Sequence, residues 1–153
     1  MPELPEVETM RRGLEPIVGG TIVAIERGPC RRRPIAIEPA LPAFGRRAAG
    51  QVIQATGRIG KRVTLELSSG DLIVFEPRMT GLVLLADPPT QDHLRVRIRL
   101  SGRRAREVLY WDRRGLGSVR LLTPRQVAAR FGPSKIGPDA LRITQAEWRE
   151  RLG

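Results

Sequence analysis

In the middle of the chain, residues 94–100 alternate without a break: Leu94, Val96, Ile98 and Leu100 fall on one face, Arg95, Arg97 and Arg99 on the other. A period of two suits an extended strand that packs one side and turns the other away. The pattern favours a solvated outer face for the three arginines, which would also guard the strand against edge pairing. Seven further β-rich runs accompany it, at 21–25, 51–56, 62–67, 72–76, 82–85, 107–111 and 118–122. Ser69-Gly70-Asp71 and Ser101-Gly102-Arg103 supply turns between neighbours. Eight short strands punctuated in this way predict a sandwich or barrel of antiparallel sheets.

Helices flank this β region. Val7, Met10, Leu14 and Ile17 recur at steps of three and four, so 5–18 reads as an amphipathic helix closed by Gly19-Gly20. Pro124 opens a short helix to about Phe131, Gly132-Pro133 breaks it, and another helix begins near Thr144. The proline-rich stretch 31–42 reads as a loop.

The length of 153 residues suits one domain with a real core. Lys plus Arg is 27 against 16 Asp plus Glu, a balance of 27 − 16 = +11, which points to a polyanionic partner, most simply nucleic acid. Only Lys61 and Lys135 are lysines, leaving 27 − 2 = 25 arginines; the guanidinium fork suits phosphate, although a GC-rich genome gives the same skew. Aromatics at 4% are too few for a platform of stacked bases. The single Cys30 excludes an intrachain disulfide and any multi-cysteine zinc site. No apolar run is long enough for a membrane span and the acidic start is unlike a signal peptide, so an intracellular setting is expected.

The start of the chain, Met1-Pro2-Glu3-Leu4-Pro5-Glu6, carries chemistry of its own. With Met1 removed, Pro2 has a free secondary amine between carboxylates. An α-amino group titrates near roughly 7.7–8.0, against about 10.4 for lysine, so part of it is neutral at pH 7. Such an amine can attack a sugar carbon and hold it as an iminium, while Glu3 and Glu6 give and take protons. The same residues also make an ordinary helix start, with proline in the first turn and acids at the positive end of the dipole. Six residues alone leave both readings open.

The rest of the chain adds Arg11-Arg12-Gly13-Leu14, Gly60-Lys61, Met79-Thr80-Gly81, Asp92-His93, Asp112-Arg113-Arg114 and Ile136-Gly137-Pro138-Asp139-Ala140-Leu141. Together with Pro2-Glu3-Leu4-Pro5-Glu6-Val7-Glu8-Thr9, and in this order, they resemble the N-terminal catalytic domain of the formamidopyrimidine-DNA glycosylase and endonuclease VIII family. The resemblance implies a mainly β fold with flanking helices: a two-layered antiparallel β-sandwich with an N-terminal amphipathic helix. It implies a catalytic domain over 1–141, with 142–153 starting a linker or helix toward a helix-two-turn-helix module.

Family members remove oxidised bases from DNA and nick the strand. By resemblance Pro2 is the nucleophile that forms the Schiff base, Glu3 the acid assisting sugar opening, and Glu6 an orienting group. Lys61, placed on a strand beside the site, donates a proton in the elimination and holds phosphate. His93 contacts phosphate, and Met79 and Arg114 fill the gap left by the extruded base. The resemblance implies double-stranded DNA with oxidised bases or abasic sites as partner, a monomer, and a cytoplasmic, nucleoid-associated location. No metal or cofactor is expected in this chain, since the family's zinc finger would lie beyond Gly153.

Three departures stand out. Asp112-Arg113-Arg114-Gly115-Leu116-Gly117 replaces Asp-Pro-Arg-Arg-Phe-Gly, putting Gly115 where the second arginine stands and Leu116 in place of the aromatic wedge. Glu76 stands where a histidine is common, bringing negative charge toward the phosphate path. The modules that grip the far side of the DNA in the family would lie beyond Gly153, as expected of either a catalytic-domain fragment or a short protein that needs help to hold DNA. A non-catalytic DNA-binding or lesion-sensing module is therefore the alternative to a repair lyase, and a general RNA-binding protein is a more distant third.

Overall fold

The computed structural model describes residues 4–30 and 32–132. Pro2, Glu3, the 136–141 motif, the helix expected near Thr144 and the boundary at residue 141 lie outside the described residues. The first helix, α1, spans Leu4–Gly13 and passes into a short 3-10 turn, Glu15–Ile17, so the predicted continuous helix to Val18 tightens after Gly13. Pro16 inside that turn explains the change, since proline has no N–H to continue the α-helical ladder. The apolar stripe does face inward: Val7, Leu14 and Ile17 are fully buried.

Among the described residues nine strands follow in two layers. They are β1 (Thr21–Arg27), β2 (Ala36–Glu38), β3 (Ile53–Ile59), β4 (Arg62–Leu67), β5 (Leu72–Glu76), β6 (Gly81–Leu84), β7 (Leu94–Ser101), β8 (Glu107–Asp112) and β9 (Ser118–Leu122). One sheet has the order β1-β7-β8-β6, the other β2-β9-β5-β4-β3. Every pairing is antiparallel except β2 with β9. The chain is thus a mainly β, two-layered sandwich with flanking helices. Between the sheets lie Ile22, Val63, Leu65, Phe75, Val96, Ile98, Val108, Tyr110, Val119 and their neighbours, joined by the α1 stripe.

The five-stranded sheet is covered on its other face too. Helix α3 (Pro124–Phe131) lays Val127 and Phe131 against Ile59, Leu72, Val74 and Leu122. That double cover is why 72–75 reads as a continuous apolar run rather than an alternating one. The helix is fixed at its start by reciprocal hydrogen bonds between Thr123 and Gln126. Its end is pinned by Arg62, whose guanidinium lies 4.7 Å over the Phe131 ring.

Two expectations need correction. The stretch 31–42 is not simply a loop: it contains β2 and enters helix α2 (Leu41–Ala48), which buries Phe44 and Ala48 against β1. Three residues of β2 are too few for a periodic signal, and the prolines at 39 and 42 mask both elements in sequence. Arg95 is not on a solvated face either. It is only 3% exposed, because the register with β8 slips between Leu94 and Val96, leaving Arg95 as an extra residue in a bulge that turns its side chain inward. Arg97 and Arg99 keep the outward direction and pair with Glu107 and Glu26.

Candidate nucleic-acid interface and active-site end

The path of α1 shows which end of the sandwich its first turn approaches. Gly19 N–H donates to Ile53 O, Arg11 and Glu15 meet Thr56, and Glu8 meets Arg58. Moving back along α1 therefore moves forward along β3, toward Ile59 and the turn beyond it. Glu6, exposed, lies at the rim of a cleft of about 420 Å³ between α1 and β6, with Thr9, Met10, Gly13 and Leu82–Leu85 around it.

Lys61 sits at that end. It was expected on a strand, but Gly60 and Lys61 form the two-residue turn of the β3–β4 hairpin, flanked by the Ile59–Arg62 pair. Gly60 takes φ +59, the conformation a tight hairpin requires and β-carbon-bearing residues avoid. A turn residue projects from the sheet edge, whereas a strand residue would point into one face.

The same end gathers the other predicted residues. Glu76 and Ser118 are paired across β5 and β9, and Gly81 and Asp112 across β6 and β8, so the loops 77–80 and 113–117 leave the two sheets side by side. Met79 lies in the first loop and is 49% exposed; Arg114 and the 37% exposed Leu116 lie in the second. Thr80 joins the loops: its hydroxyl donates to Asp112 Oδ1 at 2.9 Å and accepts from Arg114 N at 3.0 Å. His93 precedes β7, with its ring edge-on to Trp111 at 5.7 Å and its main-chain carbonyl accepting from Asp112 N. Its Nδ1 is buried and has no hydrogen-bond partner among the described residues. His93 is thus half-buried.

Asp112 organises this end. Fully buried, it accepts from Thr80 Oγ1 and Gly115 N through Oδ1, and from Tyr110 Oη and Gly117 N through Oδ2. Four donors on one carboxylate offset the loss of water and fix the loop's path. Burial pushes the Tyr110 phenol well above its ordinary value, and the Asp112 charge adds to the effect. Gly117 must be glycine, since an added Cβ would lie 1.8 Å from Tyr110 Oη. Gly115 has φ +71, and its Cβ would lie 2.4 Å from Arg33 O. An arginine at that position is therefore incompatible with this loop path.

Glu76 does not leave a bare negative charge. It pairs with Arg62 at 3.0 Å and Arg120 at 3.8 Å. At the root of α1, Glu8 bridges Arg11, Arg12 and Arg58, and the hydrogen bond from Arg11 leads the effects that hold its carboxyl down at about 2.

Residues 1–119 match the family model described as the formamidopyrimidine-DNA glycosylase N-terminal domain. The chain belongs to the formamidopyrimidine-DNA glycosylase family. The family's protein from Bacillus subtilis is 37% identical over 158 residues, covering 99% of this chain and 55% of that protein. The Streptococcus pyogenes serotype M3 protein is 36% identical over 146 residues, covering 94% of this chain and 51% of that one. Among solved structures, the Lactococcus lactis glycosylase complexed with Fapy-dG-containing DNA aligns with a TM-score of 0.71 at 31% identity, over 89% of this chain and 50% of that one. The same enzyme bound non-covalently to DNA containing an AP site gives 0.71 at 30%, over 90% and 51%. The chain spans about half the length of the family relatives it matches.

Sequence reasoning missed the roles of Asp112, Tyr110, Arg95 and Glu8. For the first pair a signal existed: the sole tyrosine and a carboxylate two residues on share one face of a strand. For Arg95 none did, because a bulge leaves the amino-acid pattern unchanged.

Proposed function

We propose that this chain is the catalytic domain of a bifunctional DNA glycosylase and abasic-site lyase acting on oxidised purines in duplex DNA. The observation that carries the reading is the gathering, at one end of the sandwich, of the first turn of α1, the Lys61 turn, the Met79 and Arg114 loops and His93. In this reading the Pro2 nitrogen, freed of Met1, attacks C1′ of the damaged nucleotide; the bond from C1′ to the base breaks, and the departing base takes up the proton that the Pro2 amine gives up. Glu3 protonates the ring oxygen as the sugar opens to an iminium on Pro2, and Glu6 orients groups at the helix mouth. The iminium acidifies the 2′ proton, which passes to water as the C3′–O bond breaks and the 3′ phosphate leaves, with Lys61 donating a proton to the leaving oxygen and holding the phosphate. His93 contacts the backbone, and Met79 and Arg114 occupy the space of the extruded nucleotide, offsetting part of the few kcal/mol that extrusion costs.

The chemistry needs no metal or cofactor from this chain. The reading carries with it a cytoplasmic, nucleoid-associated location and a monomeric chain on its duplex. The bacterial glycosylases named above, and the solved complexes with damaged DNA, support it. Borohydride reduction in the presence of abasic DNA is the test. Intact mass spectrometry should show loss of Met1 and a covalent adduct, and the adduct should be abolished when the terminus of the processed chain is blocked. Pro2→Gly keeps a terminal amine and should trap more weakly.

The alternative, a DNA-binding module without excision, draws on one observation: Arg62 and Arg120 at this end are tied to Glu76 rather than left for phosphate. Salt-dependent duplex binding with neither trapping nor nicking would favour it.

A further inference from the structure

We propose that Arg95 is a positioning residue that locks the main chain of Arg32–Arg33 onto the Asp112–Leu116 loop, so that Arg32 and Arg33 extend the interface as additional phosphate-binding residues. The inference rests on the DNA reading above. Arg95 is an unusual buried charge: its Nε donates to Asp112 O at 2.8 Å, and its Nη1 donates to Arg32 O and to Arg33 O, the latter at 3.0 Å. A buried guanidinium is costly unless its donors are satisfied. Here they are satisfied by carbonyls from two segments far apart in sequence, which makes the side chain a bracket between them.

The contact surface is close-fitting. The Cβ position of Gly115 lies 2.4 Å from Arg33 O and 3.0 Å from Arg95 Nη2, so the two segments touch there without room for a side chain. Arg33 itself adopts φ 42, which a residue with a β-carbon takes only when its surroundings impose it. While their carbonyls are held inward, the side chains of Arg32 and Arg33 are exposed, as are those of Arg113 and Arg114. Among the described residues none of these four is paired with a carboxylate. Arg32, Arg33 and Arg113 on one bracketed surface, beside Arg114 and the exposed Met79 and Leu116, fit a continuous run of nucleic-acid phosphates.

The test compares duplex DNA carrying a tetrahydrofuran abasic analogue, bound by the 153-residue chain over a salt series, with thermal unfolding measured in parallel. Each phosphate contact contributes about 0.9 to the slope of log K against log salt. Arg32→Gln/Arg33→Gln, both on the surface, should lower the slope by nearly two with an unchanged unfolding midpoint. Arg95→Lys keeps the charge but loses the fork, and should lower the slope while the exposed arginines remain. Arg104→Gln/Arg106→Gln, charge-matched and at the opposite end of the β7–β8 hairpin, should leave it unchanged. An unaltered slope in Arg32→Gln/Arg33→Gln, or an equal loss in the distal pair, overturns the proposal while leaving DNA binding intact. A wild-type chain that fails to bind the duplex overturns the DNA reading and the proposal together. If Arg95→Lys does not fold, the double variant and its distal control decide the matter alone.

Discussion

The phenolic hydroxyl of Tyr110 donates a 2.8 Å hydrogen bond to Oδ2 of Asp112, and solvent reaches neither residue. Through this bond the core of the sandwich and the loop 113–117 form one unit. Tyr110 packs its ring 6.0 Å from that of Phe75, while Asp112 collects the loop's N–H groups.

Because the phenol's folded value is raised, the fold gains stability from neutral Tyr110 below about pH 10, the ordinary range of tyrosine, and loses it as pH climbs further. Tyr110 is the only tyrosine, so absorbance at its ionisation wavelength reads this group alone. No tyrosinate should appear near pH 10–11 while the chain stays folded, and ionisation should coincide with loss of ellipticity. A reversible titration near 10 in the folded chain would contradict the burial. Tyr110→Phe, which removes one donor from a buried carboxylate, should cost about 1–3 kcal/mol in urea unfolding.

Gly117→Ala is expected to be worse. The new methyl would occupy the Tyr110 hydroxyl position and crowd Glu76 O at 2.4 Å, so the loop or strand β8 must shift. A loss of about 3 kcal/mol or more is expected from overpacking plus the broken network. Calorimetry should show a midpoint lowered by several degrees, and a wild-type midpoint would refute the close approach.

Glu8 should govern acid stability. Its carboxyl is held from an ordinary 4.5 down to about 2 by Arg11 first and then Arg12 and Arg58, so the ion pairs stabilise the fold above about pH 4.5 and are lost as pH falls toward 2. Glu8→Gln should destabilise the chain by about 1–2 kcal/mol at pH 7. The difference from wild type should shrink between pH 4.5 and 2 in denaturant titrations, and a gap that stays constant across that interval would exclude this role.

Met79→Ala separates binding from folding. The side chain is half exposed in a turn, so its loss should move the unfolding midpoint by less than about 0.5 kcal/mol equivalent. Affinity for duplex carrying an abasic analogue should fall roughly fivefold, about 1 kcal/mol, as measured by fluorescence anisotropy. Equal affinities for the variant and the wild type would remove Met79 from the interface.

Much of the architecture is written in local patterns. The 94–100 alternation, the apolar stripe from Val7 to Ile17 and the Thr123-Pro124 helix start each correspond to an element found in the fold. Lys61, His93, Met79 and Arg114, taken from separate motifs, lie at one end of the sandwich, with Lys61 in a turn instead of a strand. What stayed hidden was of another kind. β2 earns its place only by pairing with β9, α2 by burying Phe44, and Arg95 by the slip in register against β8.

The amino-acid order by itself determined the strand periods, the helix stripe, the basic charge and the residues available for chemistry, because these depend on neighbours a few positions away. Only the tertiary structure decided that one arginine of a seemingly exposed stripe is buried, that Asp112 holds two loops at once, and that Gly115 leaves no space for a side chain. The longest of those contacts bring together groups from far apart in sequence, such as Thr80 with Asp112 and Arg95 with Arg32 and Arg33. Such contacts form only when the sheets close, and no local pattern encodes them.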